Sequence, residues 1–385
     1  MATKAIVNPE VLSWGRTSAG LSVEDAARLL SVKAEQVSGW EAGDDKPTMG
    51  QVRKMAEKYR RPLNVLFLNE PPTGSGEPAL TDFRSGDALS PNHSRFLRLA
   101  LRTASEWRMD AFDLFELLDA RPLKMNLEVT QANGVEQAAN TIRAWTGVSI
   151  QTQLAWPNGD SYRALREWRD CIEAKGVLVF QFGRVEVQEM RGSSIYFDEL
   201  PVVILNSGDT PNGRVFTLMH ELAHLALRGS GLCDVKYVQP NVHINSQTEV
   251  FCNAVAGELL VPTASLLSEA DIAAASPATE WSDERISELA NRFKVSRIVV
   301  LRRLLSLAKT SDAAYNARHV LWSVAGKEVE GGGDGRRMAL NARGQLLTRL
   351  VLSAYGAKKI TLFDTARRLG IKADSIAYAR EFVRS

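Results

Sequence analysis

The alternation of apolar and polar residues predicts short helices in the first part of the chain. Between Leu12 and Leu68 the apolar residues recur at helical spacing and are separated by turn residues. Ser22 is suited to cap the start of one helix and Gly43 to end another. Pro47-Thr48 then opens a further helix. A set of short helices packed around one small core is therefore expected.

A linker, a helical segment and two strands are predicted next. Residues 70–78 are rich in Pro and Gly, which is typical of a linker. From 90 to 145 the apolar residues recur at helical spacing, which predicts a helical arm. The short apolar runs 177–182 and 202–205 are bounded by Gly, Pro or Ser and predict strands. A small sheet beside helices follows.

The last part of the chain again has a helical pattern. Residues 285–305 carry two amphipathic stripes separated by Val295-Ser296, which predicts a helix, a short turn and a second helix. A glycine-rich loop at 331–335 precedes a final helical piece, 346–383, which carries no chemical signal. We identify no internal repeat and no low-complexity tract in the sequence.

The strongest chemical signal is the pentapeptide His220-Glu221-Leu222-Ala223-His224. With 5 His in 385 residues, about 0.004 such pentapeptides are expected by chance. On a helix, imidazoles four residues apart lie on one face and can bind the same metal, while the intervening Glu reaches the metal-bound water. The pattern predicts a zinc site with His220 and His224 as ligands and Glu221 as general base; buried histidines without a metal are the simpler alternative.

A catalytic zinc ion needs a third protein ligand and an open fourth position. The extended motif with a third His is absent, because Leu227 and Ser230 stand where it needs Gly and His. We favour Glu249, in a predicted helix 25 residues after His224. The rival candidates are Glu258, Asp234 and His243.

Two stretches, Phe216 to Leu225 and Glu249 to Pro262, together resemble the ImmA/IrrE family of bacterial metallo-endopeptidases. The runs Gly176 to Gln181, Met190 to Gly192 and Pro201 to Ser207 are similar to the strands that precede the metal helix in long members of that family. The resemblance implies a zincin-like fold with zinc as cofactor, and manganese is the alternative because two His and one Glu accept either ion. The residues it implies are His220, His224 and Glu249 as ligands and Glu221 as base.

These parts imply hydrolysis of a peptide bond. The metal polarises water and the scissile carbonyl, while Glu221 accepts the water proton and passes it to the leaving amine. In zincins an edge strand of the sheet pairs with the extended substrate. His243 and Asn253 are candidates for stabilising the oxyanion or for supporting the metal ligands.

The N-terminal helices resemble the helix-turn-helix of phage repressors, the XRE type. The resemblance makes 33–41 the recognition helix, with Lys33, Gln36 and Ser38 as candidates for DNA contacts. Residues 1–72 contain 10 Lys and Arg against 9 Asp and Glu, so the domain is nearly neutral although DNA affinity depends on neutralising phosphates. A helical domain used for dimerisation or partner docking is the alternative.

A second basic segment lies after the peptidase motifs. Residues 285–319 contain 8 Lys and Arg and 2 Asp and Glu, a balance of +6, whereas the whole chain carries +2. A second nucleic-acid contact is one interpretation. A basic, solvated face on helices that pack against the catalytic core is the other.

Composition sets the broad class. The chain is 45% hydrophobic and 24% charged, which is typical of a globular protein. Residues 1–9 lack the apolar core of a signal peptide, and no apolar run is long enough to span a membrane, so a cytoplasmic protein is expected. Cys171, Cys233 and Cys252 are an odd, scattered set, which suits a reducing compartment, and Cys252 is expected to be a small core residue.

The expected fold is mainly α, of the α+β class. The predicted divisions are a helix-turn-helix domain at 1–70, a linker and helical arm at 71–150, a zincin-like metallopeptidase domain at 151–280, a basic helical pair at 281–330 and a C-terminal helical piece at 331–385.

The expected function is that of a regulatory endopeptidase. Members of the resembled family cleave a helix-turn-helix repressor once, so the predicted partners are a repressor protein and DNA, without a membrane. A homodimer is expected from the helix-turn-helix geometry. The alternative is an antitoxin and autorepressor that binds a toxin, with the peptidase fold used mainly for binding.

Overall fold

A computed structural model describes residues 4–72, 81–82, 87–88, 94–158, 160–228, 231–233, 243–325 and 334–384. They form two compact units, 1–105 and 106–385, whose boundary lies inside one long helix. The helices are α1 Pro9–Ser18, α2 Val23–Leu30, α3 Ala34–Ala42, α4 Met49–Tyr59, α5 Arg95–Leu117, α6 Val135–Thr146, α7 Ile150–Ala155, α8 Ser161–Glu173, α9 Pro211–Ala226, α10 His243–Leu260, α11 Thr263–Leu267, α12 Ala270–Ala274, α13 Asp283–Phe293, α14 Arg297–Ser306, α15 Asp312–Ala325, α16 Gly335–Gly356, α17 Leu362–Leu369 and α18 Ile376–Phe382. The strands are β1 Thr81–Asp82, β2 Asp87–Ala88, β3 Leu178–Phe182, β4 Gly192–Ile195, β5 Val202–Asn206 and β6 Gly231–Cys233. The mainly α, α+β class is confirmed, and the finer domain limits stay predictions.

The first unit packs α1 to α4 around one core. The Ser22 hydroxyl caps α2, and Ser31 ends it in the left-handed region with φ 59°. Trp40 of α3 is fully buried in this core. Arg16 donates two hydrogen bonds, of 2.7 and 2.8 Å, to the Glu41 carboxylate and so ties α1 to α3.

The second unit contains a four-stranded sheet in the order β3-β5-β4-β6. Strand β3 is parallel to β5, whereas β4 is antiparallel to both β5 and β6. The two strands expected from apolar runs are β3 and β5. Strand β4 begins at Gly192, where the run Met190 to Gly192 resembles a strand of the family, although its Gly and Ser residues lack a β-branched run. Strand β6 was not expected, because it has only three residues and begins with Gly. Helix α9 packs against β4 and β5.

The outer edge of β3 is closed by side chains of α8 and by the backbone of α16. Arg169 donates to the Val179 carbonyl at 2.8 Å and to the Asn341 carbonyl at 3.0 Å. The buried Glu173 carboxylate accepts from the Gln345 backbone N–H at 2.9 Å. Burial raises the pKa of Glu173 to about 7, against the opposing effect of Arg169. An unprotected edge strand is a site for unwanted pairing, and here it is covered.

A glycine makes this closure geometrically feasible. Helix α16 is two helical pieces joined at Gly344, whose φ of 79° and ψ of 173° are accessible essentially to glycine alone. A Cβ at this position would lie 2.8 Å from the Val179 carbonyl oxygen and would collide with the Glu173 carboxylate. The absence of a side chain therefore lets α16 approach the sheet.

Two segments differ from the prediction. The stretch 90–145 is not one helical arm: α5 ends at Leu117 and α6 begins at Val135, with Pro122 and Gly134 between them. The chain is extended or turned there because Pro cannot continue a helix and Gly134 has φ 75°. The helical piece predicted at 346–383 consists of three helices, since it contains the second part of α16 together with α17 and α18. Within the described residues, no helix is both long and apolar enough to cross a membrane.

Candidate metal centre

Helix α9 carries the HExxH pentapeptide and is buried along most of its length. It starts sharply because the Thr210 hydroxyl accepts from the Gly213 backbone N–H at 3.1 Å and Pro211 occupies the first helical position. The four-residue spacing then brings the side chains of His220 and His224 to one face, where both are buried.

Three potential donor atoms converge in front of this face. The Nε2 atoms of His220 and His224 lie 3.0 Å apart. Glu249 of α10 places its Oε2 3.3 Å from the His220 Nε2 and its Oε1 3.3 Å from the His224 Nε2. Zinc bonds of about 2.0–2.1 Å in a tetrahedral arrangement put neighbouring ligand atoms about 3.4 Å apart. Among the residues that the structure describes, this is the one such group of three, and its spacing fits a divalent metal.

The charge of the group also suits a cation. Burial lowers the pKa of His224, but hydrogen bonds to Cys252 and Glu249 outweigh it and raise that pKa to about 11. Burial would raise the pKa of Glu249, yet the two imidazoles hold it well below its usual value. The three residues thus retain a proton at neutral pH, in the place that a metal ion can take.

Glu221 is fully buried and lies beside both the three potential donors and strand β4. Burial raises its pKa above the usual value, and the nearby His220, His224 and Ser194 oppose that rise. Its Oε1 would lie 3.1 Å from a Cβ at Gly192, where a side chain would also collide with Thr217. The family resemblance included Gly192 only as the end of the run Met190 to Gly192 and gave it no role, and the close approach of β4 to α9 depends on it.

Glu258, a rival for the third ligand, is engaged elsewhere. Its carboxylate contacts the buried Arg303 of α14 and accepts from the backbone and the hydroxyl of Thr263, at 2.8 and 2.7 Å. Arg303 also donates to the Val261 carbonyl at 3.0 Å. This buried ion pair joins α10 to α14, so Glu258 stabilises the fold at a distance from the three donors.

The other expected site residues are only partly described. Asp234 lies outside the described residues. His243 opens α10, but its side chain lies outside them. Asn253 is half-buried on α10, one turn after Glu249, and its supporting role stays a prediction.

Cys252 has a contact that its interpretation as a small core residue missed. It is fully buried on α10, close enough to His224 to contribute to the raised pKa of that imidazole. It follows Glu249 by three residues, so both project from one helical face. The three-residue spacing between Glu249 and Cys252 is the sequence feature from which this contact could have been predicted.

The expected DNA-contact residues lie on or next to helix α3. Lys33 is its N-cap residue, and its backbone N–H donates to Gln36 Oε1 at 3.2 Å. Lys33, Gln36 and Ser38 are all exposed. Their side chains therefore share an accessible surface, while Glu41 on the same helix is neutralised by Arg16.

The basic segment 285–319, which includes most of α13 and all of α14, has little free positive charge. Each of the eight cations expected there has a partner that reduces its availability for phosphate. Arg285 contacts Asp271, Glu269 and Glu288; Arg292 contacts Glu269; Lys294 contacts Asn158; Arg297 lies over Trp322; Arg302 lies over Tyr315; Arg303 contacts Glu258; Lys309 donates to the Ala273 and Ala275 carbonyls; and Arg318 contacts Asp283. This favours the interpretation of a structural basic face.

Comparison with known families gives two matches. Residues 172–305 match the IrrE N-terminal-like domain of peptidase family M78, and residues 12–66 match a helix-turn-helix domain. Comparison with curated proteins gives no match. The first match contains the HExxH pentapeptide and Glu249, and that family implies a divalent metal. The chain therefore carries an ImmA/IrrE-type peptidase domain at residues 172–305 and, ahead of it, an XRE-type helix-turn-helix at residues 12–66.

Proposed function

We propose that the protein is a zinc-dependent endopeptidase that acts as a regulator by cleaving one partner protein. The observation that carries this proposal is the convergence of His220, His224 and Glu249 beside the buried Glu221. Three protein ligands leave one position of a tetrahedral ion open, which is typical of catalytic zinc sites. A purely structural site normally has four protein ligands. Manganese is the alternative ion, since the donor set accepts both.

In this mechanism the protein residues position the metal and move a proton. When bound at the three ligands, a divalent metal supplies Lewis-acid activation of water and of the scissile carbonyl. Glu221 takes the proton of the attacking water and delivers it to the amide nitrogen, which leaves as an amine. Burial raises the pKa of Glu221 and so favours a carboxyl group that can both accept and release a proton. Gly192 keeps β4 close enough for Ser194 to face this carboxylate.

We further propose that the substrate binds as an extended strand along β6. The sheet has two edges, β3 and β6, and the outward carbonyl of Val179 on β3 is occupied by Arg169. Strand β6 pairs with β4, whose Gly192 lies beside Glu221. A peptide added to that edge would run next to the proposed metal ligands.

The proposed substrate is a helix-turn-helix repressor, and the N-terminal helix-turn-helix of this chain brings the peptidase to DNA. Such an arrangement would place the enzyme beside a repressor bound at a neighbouring site. The high local concentration of enzyme near its substrate on the DNA would then allow cleavage without a large binding interface between the two proteins.

The test is a substrate trap. Full-length protein with Glu221→Gln is used to capture partners from the native host, and metal content is measured on the same sample. The exposed Glu280→Gln variant serves as a matched control with the same chemical change. Recovery of a repressor that the wild type and the control cut at one site would support the proposal. Recovery of a toxin that remains intact with every variant would replace it with an antitoxin.

A further inference from the structure

The C-terminal helices repeat the helix-turn-helix of the N-terminal unit. Residues 22–42 correspond to residues 361–381, each position lying 339 residues later. In both copies the first helix has eight residues, and a hydroxyl at its N-cap accepts from the backbone three residues on. The identical pairs are Asp25 and Asp364, Ala27 and Ala366, Arg28 and Arg367, Leu30 and Leu369, Lys33 and Lys372, and Ala34 and Ala373.

The turn between the two helices is the same in both copies. Ser31 has φ 59° and Gly370 has φ 66°, so each ends its helix in the left-handed region. The residue after it donates its backbone N–H to the carbonyl of the fifth residue back, at 3.0 Å from Val32 and 3.1 Å from Ile371. The two copies thus turn through equivalent hydrogen bonds.

The two copies also bury equivalent positions. In each, two small residues and a leucine of the first helix face two buried residues of the second helical segment. The buried pairs are Ala26 and Thr365, Ala27 and Ala366, Leu30 and Leu369, Val37 and Ile376, and Trp40 and Ala379. The sequence alone did not suggest a repeat, because Trp40 is replaced by Ala379 and a short 3-10 turn at Ala373–Ser375 precedes α18.

The C-terminal copy differs from the N-terminal one in its charge. Residues 361–384 contain 5 Lys and Arg against 3 Asp and Glu, a balance of +2, whereas the corresponding residues 22–45 contain 2 against 6, a balance of −4. In the second helical segment Lys372, Arg380 and Arg384 are exposed. A third helix–turn–helix, α13–α14, turns at Lys294 in the same left-handed region, but its cations are engaged by partners within the fold. In the C-terminal copy this geometry is joined to exposed cations at Lys372, Arg380 and Arg384, of which Arg380 lies 6.0 Å from the Tyr355 ring.

We propose that residues 361–384 form a second helix-turn-helix that binds duplex DNA, with Lys372, Arg380 and Arg384 contacting phosphates. A helix-turn-helix presents its second helix to the major groove, and phosphate neutralisation supplies most of the affinity for non-specific DNA. The site is separate from the metal centre, and it does not depend on peptidase activity. DNA binding by this protein therefore resides in its C-terminal part as well as in the matched N-terminal domain.

The experiment measures the affinity of the full-length protein for a mixed-sequence duplex of roughly 30 base pairs by fluorescence anisotropy at several salt concentrations. The double variant Lys372→Glu/Arg380→Glu should lose about tenfold or more in affinity and show a salt slope lower by about two. The charge-conserving variant Lys372→Arg/Arg380→Lys should keep both. The double variant Lys124→Glu/Lys175→Glu, at exposed positions elsewhere in the same unit, is the matched control and should keep both as well.

Three results would overturn the proposal. One is a wild-type protein that does not bind the duplex at low salt. Another is unchanged affinity in the C-terminal variant while Lys33→Ala/Gln36→Ala abolishes binding. The third is unchanged DNA affinity together with a change of oligomeric mass in Phe363→Ser, since Phe363 is 74% exposed on α17 and would then mark a protein contact. Thermal unfolding of each variant shows that these exposed substitutions leave the fold intact.

Discussion

A proton and a metal ion compete for the same three side chains at the metal centre. His224 has a pKa raised to about 11 in the metal-free protein, so its imidazole is protonated at neutral pH. Binding of a metal must displace that proton, and the apparent affinity should rise up to tenfold for each unit that the pH increases between 6 and 8. Calorimetry in buffers of different ionisation enthalpy should detect release of about one proton for each zinc bound. A pH-independent affinity would contradict this assignment.

Substitutions of Glu221 and of His220 should distinguish a residue needed only for catalysis from a residue that binds the metal. Glu221→Gln removes the proton acceptor but no ligand, so zinc should remain at one equivalent while cleavage falls by about a thousandfold or more. His220→Ala removes a ligand, so zinc and activity should be lost together. Metal analysis and single-turnover cleavage of the trapped partner make the comparison. Cleavage of the partner protein by the Glu221→Gln variant would contradict the proposed role of Glu221 as general base.

At the residue scale, local spacing was predictable and long-range partners were not. The spacing of His220 and His224 follows from helix geometry alone, so their shared face could be predicted. Glu249 came from a helix pattern and a family resemblance, and Glu258 stayed a rival because its partner Arg303 lies 45 residues away on another helix. No local sequence pattern predicts an ion pair between residues so far apart in the chain. The role of Gly192 was missed because it consists in the absence of a side chain that would collide with Thr217.

Helix α16 should depend strongly on its internal glycine. Gly344→Ala places a methyl group against Val179 and Glu173 and forces a backbone conformation that L-residues avoid. The expected loss is about 2–4 kcal/mol in the free energy of unfolding, measured by urea titration. Gly356→Ala in the same helix is the matched control, because a Cβ there meets nothing within 4 Å, and it should change stability by about 1 kcal/mol or less. Equal effects of the two variants would refute the closure of β3 by α16.

Elements with strong periodicity were predicted well, and those shaped by tertiary contacts were not. Strands β3 and β5 were expected because each contains a continuous apolar run; β5 is fully buried, and β3 is buried except at Phe182. Strand β4 contains Gly and two Ser, and it is a strand because β5 and β6 pair with it on both sides. Helix α16 joins two helical pieces across Gly344, where the backbone is set by the sheet edge. Such elements exist because of their neighbours.

At the scale of the whole molecule, the C-terminal residues should be part of the peptidase unit. Arg343 lies over the Trp107 ring at 4.4 Å, and Trp107 packs against Phe180 of β3. A chain ending at residue 333 should therefore unfold at a lower temperature and lose stoichiometric zinc binding. A chain lacking residues 1–72 should keep one zinc, since its metal centre is complete. Differential scanning calorimetry and metal analysis distinguish the two, and a stable, zinc-loaded 1–333 chain would contradict this view.

Because residues 341–345 close the edge of β3, that edge stays open for part of the time in which the chain is synthesised. A ribosome makes β3 first, then the HExxH helix and Glu249, and reaches Gly344 only after roughly 5–20 seconds of further synthesis. During that interval the nascent chain already contains every proposed metal ligand, but its edge strand is open to pairing with other chains. A chain interrupted before Gly344 could therefore act as an aggregation seed, and β3 is protected only once the helices that follow the metal centre have been made.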